Sequence, residues 1–170
     1  MTHDTPIGAI IKGALAGAAG MVAMDLVWYR RYRSGGGGQT FAEWEFSSGL
    51  DGYDNAPAPA QVGKRVIEGV FDVELAPSTV GAMNNVVHWG TGLGWGAIHG
   101  IVMGSLSKPR ALMGPLTGAG AWLASYAVLA PAGLYKPLWE YDPETLWKDL
   151  SAHLAFGAGL GAVFRILARR

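Results

Sequence analysis

Residues 79–106 contain no Asp, Glu, Lys or Arg, and no other feature constrains the fold as strongly. Read as one helix at ~1.5 Å per residue, the stretch is longer than the ~30 Å hydrocarbon core of a bilayer is thick. It is not uniformly apolar. Asn84, Asn85, His88 and His99 lie within it, and Gly92, Gly96, Gly100 and Gly104 fall at every fourth position. Polar groups inside a span are costly, so they mark binding, conduction or the fixing of helix register.

The rest of the composition agrees with a membrane protein. Half the residues are hydrophobic and 15% are charged, against about a quarter for soluble domains. The chain carries no net charge, which leaves no basic face for nucleic acid. It has no cysteine, so disulfides, thiolate metal sites and thiol nucleophiles are excluded. Ala14-Leu15-Ala16 resembles a signal cleavage site, but Asp4 precedes it and only Ile7 to Ile11 would serve as an apolar core. That core is too short for a secretion signal, so the segment reads as a retained first span.

Four apolar segments, about 6–28, 79–106, 111–134 and 145–168, are each long enough to cross. The fold expected is all-α: a polytopic membrane protein, one domain over 1–170, with four transmembrane helices in an antiparallel bundle. The short turn at 105–110 makes the second and third spans a hairpin. Four alternating crossings put Trp28, Tyr29, Tyr32, Tyr135, Trp139, Tyr141 and Trp147 on one side, as an aromatic belt. Lys108, Arg110, Arg165, Arg169 and Arg170 favour cytoplasmic termini, whereas Arg30, Arg31 and Arg33 pull the other way. The balance places both termini inside.

A polar insertion, 30–78, separates the first two spans. Gly35 to Gly38 form a linker rather than a phosphate loop, because no Lys-Ser/Thr pair follows. An amphipathic helix is expected over about 60–75. Val62, Val66, Ile67, Val70 and Phe71 make one stripe, opposed by Lys64, Glu68 and Asp72. Such a helix lies on the membrane surface or caps the bundle, and docking of a partner is the alternative.

The candidate chemistry lies on the inward faces. With His88 as reference, Asn84, Asn85, Gly92, Trp95, His99 and Met103 all fall within about 60° on a helical wheel. Asp149 and His153 stand one turn apart on the fourth span. His88 and His153 both lie about nine residues in from the belt side, or ~13 Å deep. Asp25, Asn85, His88, His99, Asp149 and His153 thus form a graded polar column, the material of membrane proton relays. Three readings of the column stand: hydrogen bonding that fixes helix register, a proton or small-solute pathway, and a cofactor site. In the last, His88 and His153 ligate a haem or, with Asp149, a metal. No spacing motif supports that reading, and no cofactor is expected. The glycines Gly13, Gly17, Gly92, Gly96, Gly100, Gly114, Gly118, Gly157 and Gly161 allow close helix approach. Gly92-Leu93-Gly94-Trp95-Gly96-Ala97 fits a loose dinucleotide fingerprint but lies mid-span with no strand before it. No His-Glu-x-x-His or Gly-x-Ser-x-Gly set occurs, so an enzyme is not expected.

Three motifs carry a family resemblance. They are the Gly/Ala-rich opening over 13–20, the run Val87-His88-Trp89-Gly90-Thr91-Gly92-Leu93-Gly94-Trp95-Gly96, and the entry Leu138-Trp139-Glu140-Tyr141 followed by Ala152-His153-Leu154. In this order they resemble the YagU-like family of small bacterial inner-membrane proteins of uncharacterised biochemical function. The resemblance implies an inner-membrane helical bundle with His88 and His153 at recurrent histidine positions. The family's link with acid tolerance would suit a proton-responsive core. The expected function is proton-linked or small-solute passage through the His/Asp/Asn-lined bundle. The alternative is a non-catalytic accessory or structural subunit of a membrane complex. The expected partners are the lipid bilayer and either a second copy of the chain or another membrane protein.

Overall fold

The computed structural model describes residues 5–47, 49–106 and 112–168. Among these the protein is all-helical. Six α-helices run in chain order: α1 (Pro6–Ser34), α2 (Phe41–Glu45), α3 (Ala58–Phe71), α4 (Val80–Ser105), α5 (Met113–Leu129) and α6 (Pro143–Leu167). The chain divides into two compact units, 1–30 with 92–170, and 31–91.

The first unit is built on glycine. A Cβ placed on Gly13 would overlap the Gly96 carbonyl oxygen, and one on Gly17 the Gly92 oxygen; one on Gly100 would meet Ala9. The partners descend along α4 as they ascend along α1, so the two helices pack antiparallel. α5 and α6 repeat the device: Gly114 abuts Gly157 and Gly161, and Gly118 abuts the His153 carbonyl. Phe156 and Ala23 close the α1–α6 side against Gly20 and Gly159.

Small residues line the helix seams, with Phe156, Leu160 and Phe164 of α6 buried beside them, and many large aliphatic residues face out. Ala9, Ala16, Ala121 and Ala152 are buried, whereas Leu15 is 58% and Leu116 60% exposed, with Leu26, Leu123, Val128 and Ile166 also outward. α1 and α6 are long and apolar enough to cross a membrane. In their most apolar stretches only 39% and 28% of residues are buried, where the core helix of a soluble protein would be mostly buried. α5 has 17 residues, or ~25 Å of helix. α4 has 26 residues, but among the described residues only α1 and α6 are both long and apolar enough to cross.

Local chemistry sets the helix ends, several of which depart from the expected limits. α1 continues past residue 28 to Ser34 with Arg31 and Arg33 in its last turn, where cations favour the helix dipole. α5 stops at Leu129 rather than 134. Pro131 follows, Gly133 takes φ of 69°, and the Leu129 carbonyl accepts from Leu134 and Tyr135 N–H at 2.9 and 3.1 Å. α6 starts at Pro143, two residues early, because Asp142 caps it by accepting from Thr145 N–H at 2.8 Å. Lys108, Arg110, Arg169 and Arg170, and most of the 105–110 turn, lie outside the described residues.

In the second unit α3 covers 58–71 rather than 60–75. Asp72 turns left-handed (φ 53°), and Glu68 bonds the departing chain at Leu75 N–H, 2.9 Å, and Lys64 at 2.6 Å. The Leu75 N–H, and then Lys64, hold the Glu68 carboxyl below its usual range. α3 buries Ala60 and Gly63, the latter against Met83 and Val87, and leaves Val66, Val70 and Phe71 exposed. Tyr53, Ala56, Ala60 and Val80 form the unit's small core, with Leu50, Leu75 and Met83 packed on it. α2 was not anticipated, although its capping box, Thr40 with Glu43, is plain in the sequence.

Glycine contact predicts position-specific costs. Gly96→Ala and Gly114→Ala should each destabilise by ~1–3 kcal/mol, the usual cost of overpacking. Gly94→Ala and Gly120→Ala face open space and should be neutral or stabilising by up to ~1 kcal/mol. Thermal unfolding in detergent measures all four. Equal losses at buried and open positions would rule out glycine-mediated packing.

Candidate functional site

Asp149 and His153 come together as the sequence expects, one turn apart on α6. His153 Nδ1 lies 3.0 Å from the Asp149 backbone carbonyl and 3.3 Å from Asp149 Oδ1. Both partners are acceptors, so Nδ1 carries the proton and, in the neutral ring, Nε2 holds the open lone pair. Both side chains are largely buried, at 17% and 18% exposed.

The second carboxylate oxygen is held from α5. Asp149 Oδ2 accepts from Tyr126 OH at 2.9 Å and from Trp122 Nε1 at 3.1 Å. These two donors stand four residues apart and so share one helix face. They are the residues that sequence reasoning missed. The available signal was that a Trp N–H or Tyr O–H inside an apolar span needs an acceptor.

Around this group the aromatic residues converge. Tyr126 packs against Tyr135 with the rings tilted, centroids 5.2 Å apart, and meets Tyr141 edge-on at 5.5 Å. Tyr141 OH accepts from Lys136 N–H at 3.1 Å, which ties down the α5–α6 connection. Trp28, Tyr126, Tyr135, Tyr141, Thr145, Lys148 and Asp149 line a cleft of about 370 Å³. Lys148 is ion-paired to Glu144 at 2.5 Å. Three members of the expected aromatic belt, Trp28, Tyr135 and Tyr141, thus share one cleft, while Trp139 and Trp147 stand exposed.

His99 belongs to a different place in the same unit. It is 2% exposed, its Nδ1 lies 2.8 Å from Thr117 Oγ1, and Phe164 meets its ring edge-on at 5.4 Å. Thr117 donates its own proton to the Met113 carbonyl at 2.9 Å, so His99 Nδ1 is the donor in their bond. Nε2 is buried with no hydrogen-bond partner among the described residues. Thr117 and Tyr126 are nine residues apart on α5, ~13 Å along the axis. Along the α5–α6 seam, backbone contact at Gly114 and Gly118 flanks Thr117, and Trp122 and Tyr126 follow beyond it on α5.

Asp25 is buried on α1, at 3% exposed. Asn85 and His88 fall in the second unit. Asn85 Nδ2 donates to the Gly81 carbonyl at 2.8 Å, and His88 meets Trp89 edge-on at 6.5 Å. In the same unit Asn84 donates to Ser47 Oγ at 2.8 Å, and Trp89 Nε1 to the buried Glu45 at 3.0 Å.

Comparison with known proteins gives no match: no family, no curated protein and no solved structure is similar to this chain.

Burial, with smaller contributions from the Asp149 and Tyr141 charges, pushes the Tyr135 phenol up to about 12. The folded value lies above the unfolded one of about 10. The stabilisation is therefore complete below about pH 10 and is lost as pH rises towards 12. A difference absorbance titration of the protein against Tyr135→Phe should show one phenol ionising near pH 12. A step near pH 10 would mean that Tyr135 is solvated.

Proposed function

We propose that this chain is an integral membrane protein of four spans, α1, α4, α5 and α6, that passes a small solute in a proton-linked manner. The proton is exchanged at the Asp149–His153 pair. The observation that carries this reading is that pair itself: a histidine and a carboxylate in contact inside a bundle whose outer surface is aliphatic. His153 presents an open Nε2, and Asp149 holds the imidazolium once Nε2 is protonated. Trp122 and Tyr126 are positioning residues that fix the carboxylate. Asp25 and His99 are also buried ionisable groups of that unit.

The membrane setting rests on the outward Leu15, Leu26, Leu116 and Leu123, and on the two long apolar helices. The bilayer is the inner membrane of a bacterium, with cytoplasmic termini on the basic-residue balance. Membership of the YagU-like family is proposed with it, on the motifs around His88 and His153. α3, with Val66, Val70 and Phe71 outward, is suited to lie at the membrane surface.

That same exposed stripe favours a second reading, an accessory subunit that docks a membrane partner through α3. Proton flux separates the two. Purified protein in liposomes should carry a pH-driven flux, reduced roughly tenfold or more in His153→Gln and in Asp149→Asn. Flux equal to that of empty liposomes would favour the accessory role. Flux unchanged in both variants would remove Asp149 and His153 from the pathway.

A further inference from the structure

The cleft beside Asp149 has a composition that the proton exchange does not use. Its walls are four aromatic rings, Trp28, Tyr126, Tyr135 and Tyr141, and a carboxylate stands at its edge. Aromatic faces carry negative potential and attract cations, organic ammonium ions above all. Anions and neutral polar solutes gain little from such walls.

We infer that the cleft lined by Trp28, Tyr126, Tyr135, Tyr141 and Asp149 binds a small organic ammonium ion, which takes up the Asp149 charge in exchange for the proton on His153. The inference rests on the proton-exchange reading of the Asp149–His153 pair.

Charge accounting supports it. The two donors to Asp149 Oδ2, Trp122 Nε1 and Tyr126 OH, are neutral, so they fix the carboxylate without cancelling its charge. Oδ1 faces only the His153 ring. With His153 neutral the pair carries one negative charge; with His153 protonated it carries none. One cation entering as one proton leaves keeps the site neutral, which a partly buried site demands. The other groups lining the cleft are Trp28, Tyr126, Tyr135, Tyr141, Thr145 and Lys148, the last ion-paired with Glu144 at 2.5 Å.

Size narrows the class. About 370 Å³ is at the small end of the ~300–1,000 Å³ range of ligand sites. It suits a single ammonium centre with a short substituent rather than a polycyclic amine. Choline- and ethanolamine-type head groups carry this centre, either on a lipid or as free amines.

The test uses the intact protein in nanodiscs of phosphatidylglycerol, which lacks an amine. Tetramethylammonium and choline are titrated against intrinsic tryptophan fluorescence, with sodium as control. A parallel sample in phosphatidylcholine nanodiscs tests the lipid source. Saturable quenching by the soluble cations is expected. Trp28→Leu and Tyr141→Leu should weaken it by roughly 3- to 30-fold, and Asp149→Asn by at least roughly tenfold. Should Asp149→Asn fail to fold, the two aromatic variants decide. If soluble cations act only in phosphatidylglycerol and phosphatidylcholine blocks them, the site stands and the lipid head group is its occupant. No saturable response in either lipid, or one unchanged in every variant, overturns the inference. Proton release measured in the same titration keeps the two readings apart. Binding without release leaves the ammonium site and removes its proton linkage. Release without dependence on the aromatic residues does the reverse.

Discussion

Backbone meets backbone at Gly13, Gly96 and Gly100 on one side of the first unit and at Gly114, Gly118 and Gly157 on the other. In lipid, apolar surface gains nothing by leaving the solvent, so helices associate through dispersion contacts and the occasional polar bond. Removing side chains from the contact brings the helix axes close enough for those weak terms to accumulate. The same choice decides what the rest of the surface is. With glycine and alanine at the seams, many large aliphatic residues are left outside, where Leu15, Leu26, Leu116 and Leu123 stand, while Leu160 and Met21 pack within. An exterior of that kind is unsuited to water and suited to acyl chains.

The seams also decide where polar groups fit. On α5 Thr117 lies within the glycine contact, between Gly114 and Gly118, and Trp122 and Tyr126 lie beyond it. His99 is held by Thr117, and Asp149 by Tyr126 and Trp122. The second arrangement is the more consequential. Neutral donors on a rigid helix fix a carboxylate in position and leave its charge to be met by something else. His153 meets it when protonated. In the proposed exchange, a cation in the aromatic cleft meets it otherwise.

Much of this was legible in sequence and some was not, for identifiable reasons. A four-residue glycine period reports close helix packing directly, because no other property of glycine favours that spacing in a helix. Asp149 and His153 were legible because i,i+4 positions must share a face. Trp122 and Tyr126 were missed although they continue the four-residue spacing of Gly114 and Gly118, because that spacing reports packing and does not say which acceptor a Trp N–H or Tyr O–H will meet. The wheel that grouped Asn85, His88 and His99 gives direction about one axis only. It does not say which neighbouring side chain, such as Thr117, meets each residue. Helix limits shifted where capping chemistry outweighed hydropathy: Asp142 starts α6 early, and Gly133 with Pro131 ends α5 early.

The claim on which everything else rests is that the aliphatic exterior of the bundle faces lipid. The natural absence of cysteine makes single-site spin labelling straightforward in the reconstituted protein. Labels at Leu15, Leu116 and Leu123 should be relaxed strongly by dissolved oxygen, which concentrates in the bilayer, and weakly by a water-soluble nickel chelate. Labels at the exposed Trp139 and Val73 should show the reverse or an intermediate balance. If the nickel chelate dominates at Leu15, Leu116 and Leu123, those faces meet water and the four-span reading is wrong.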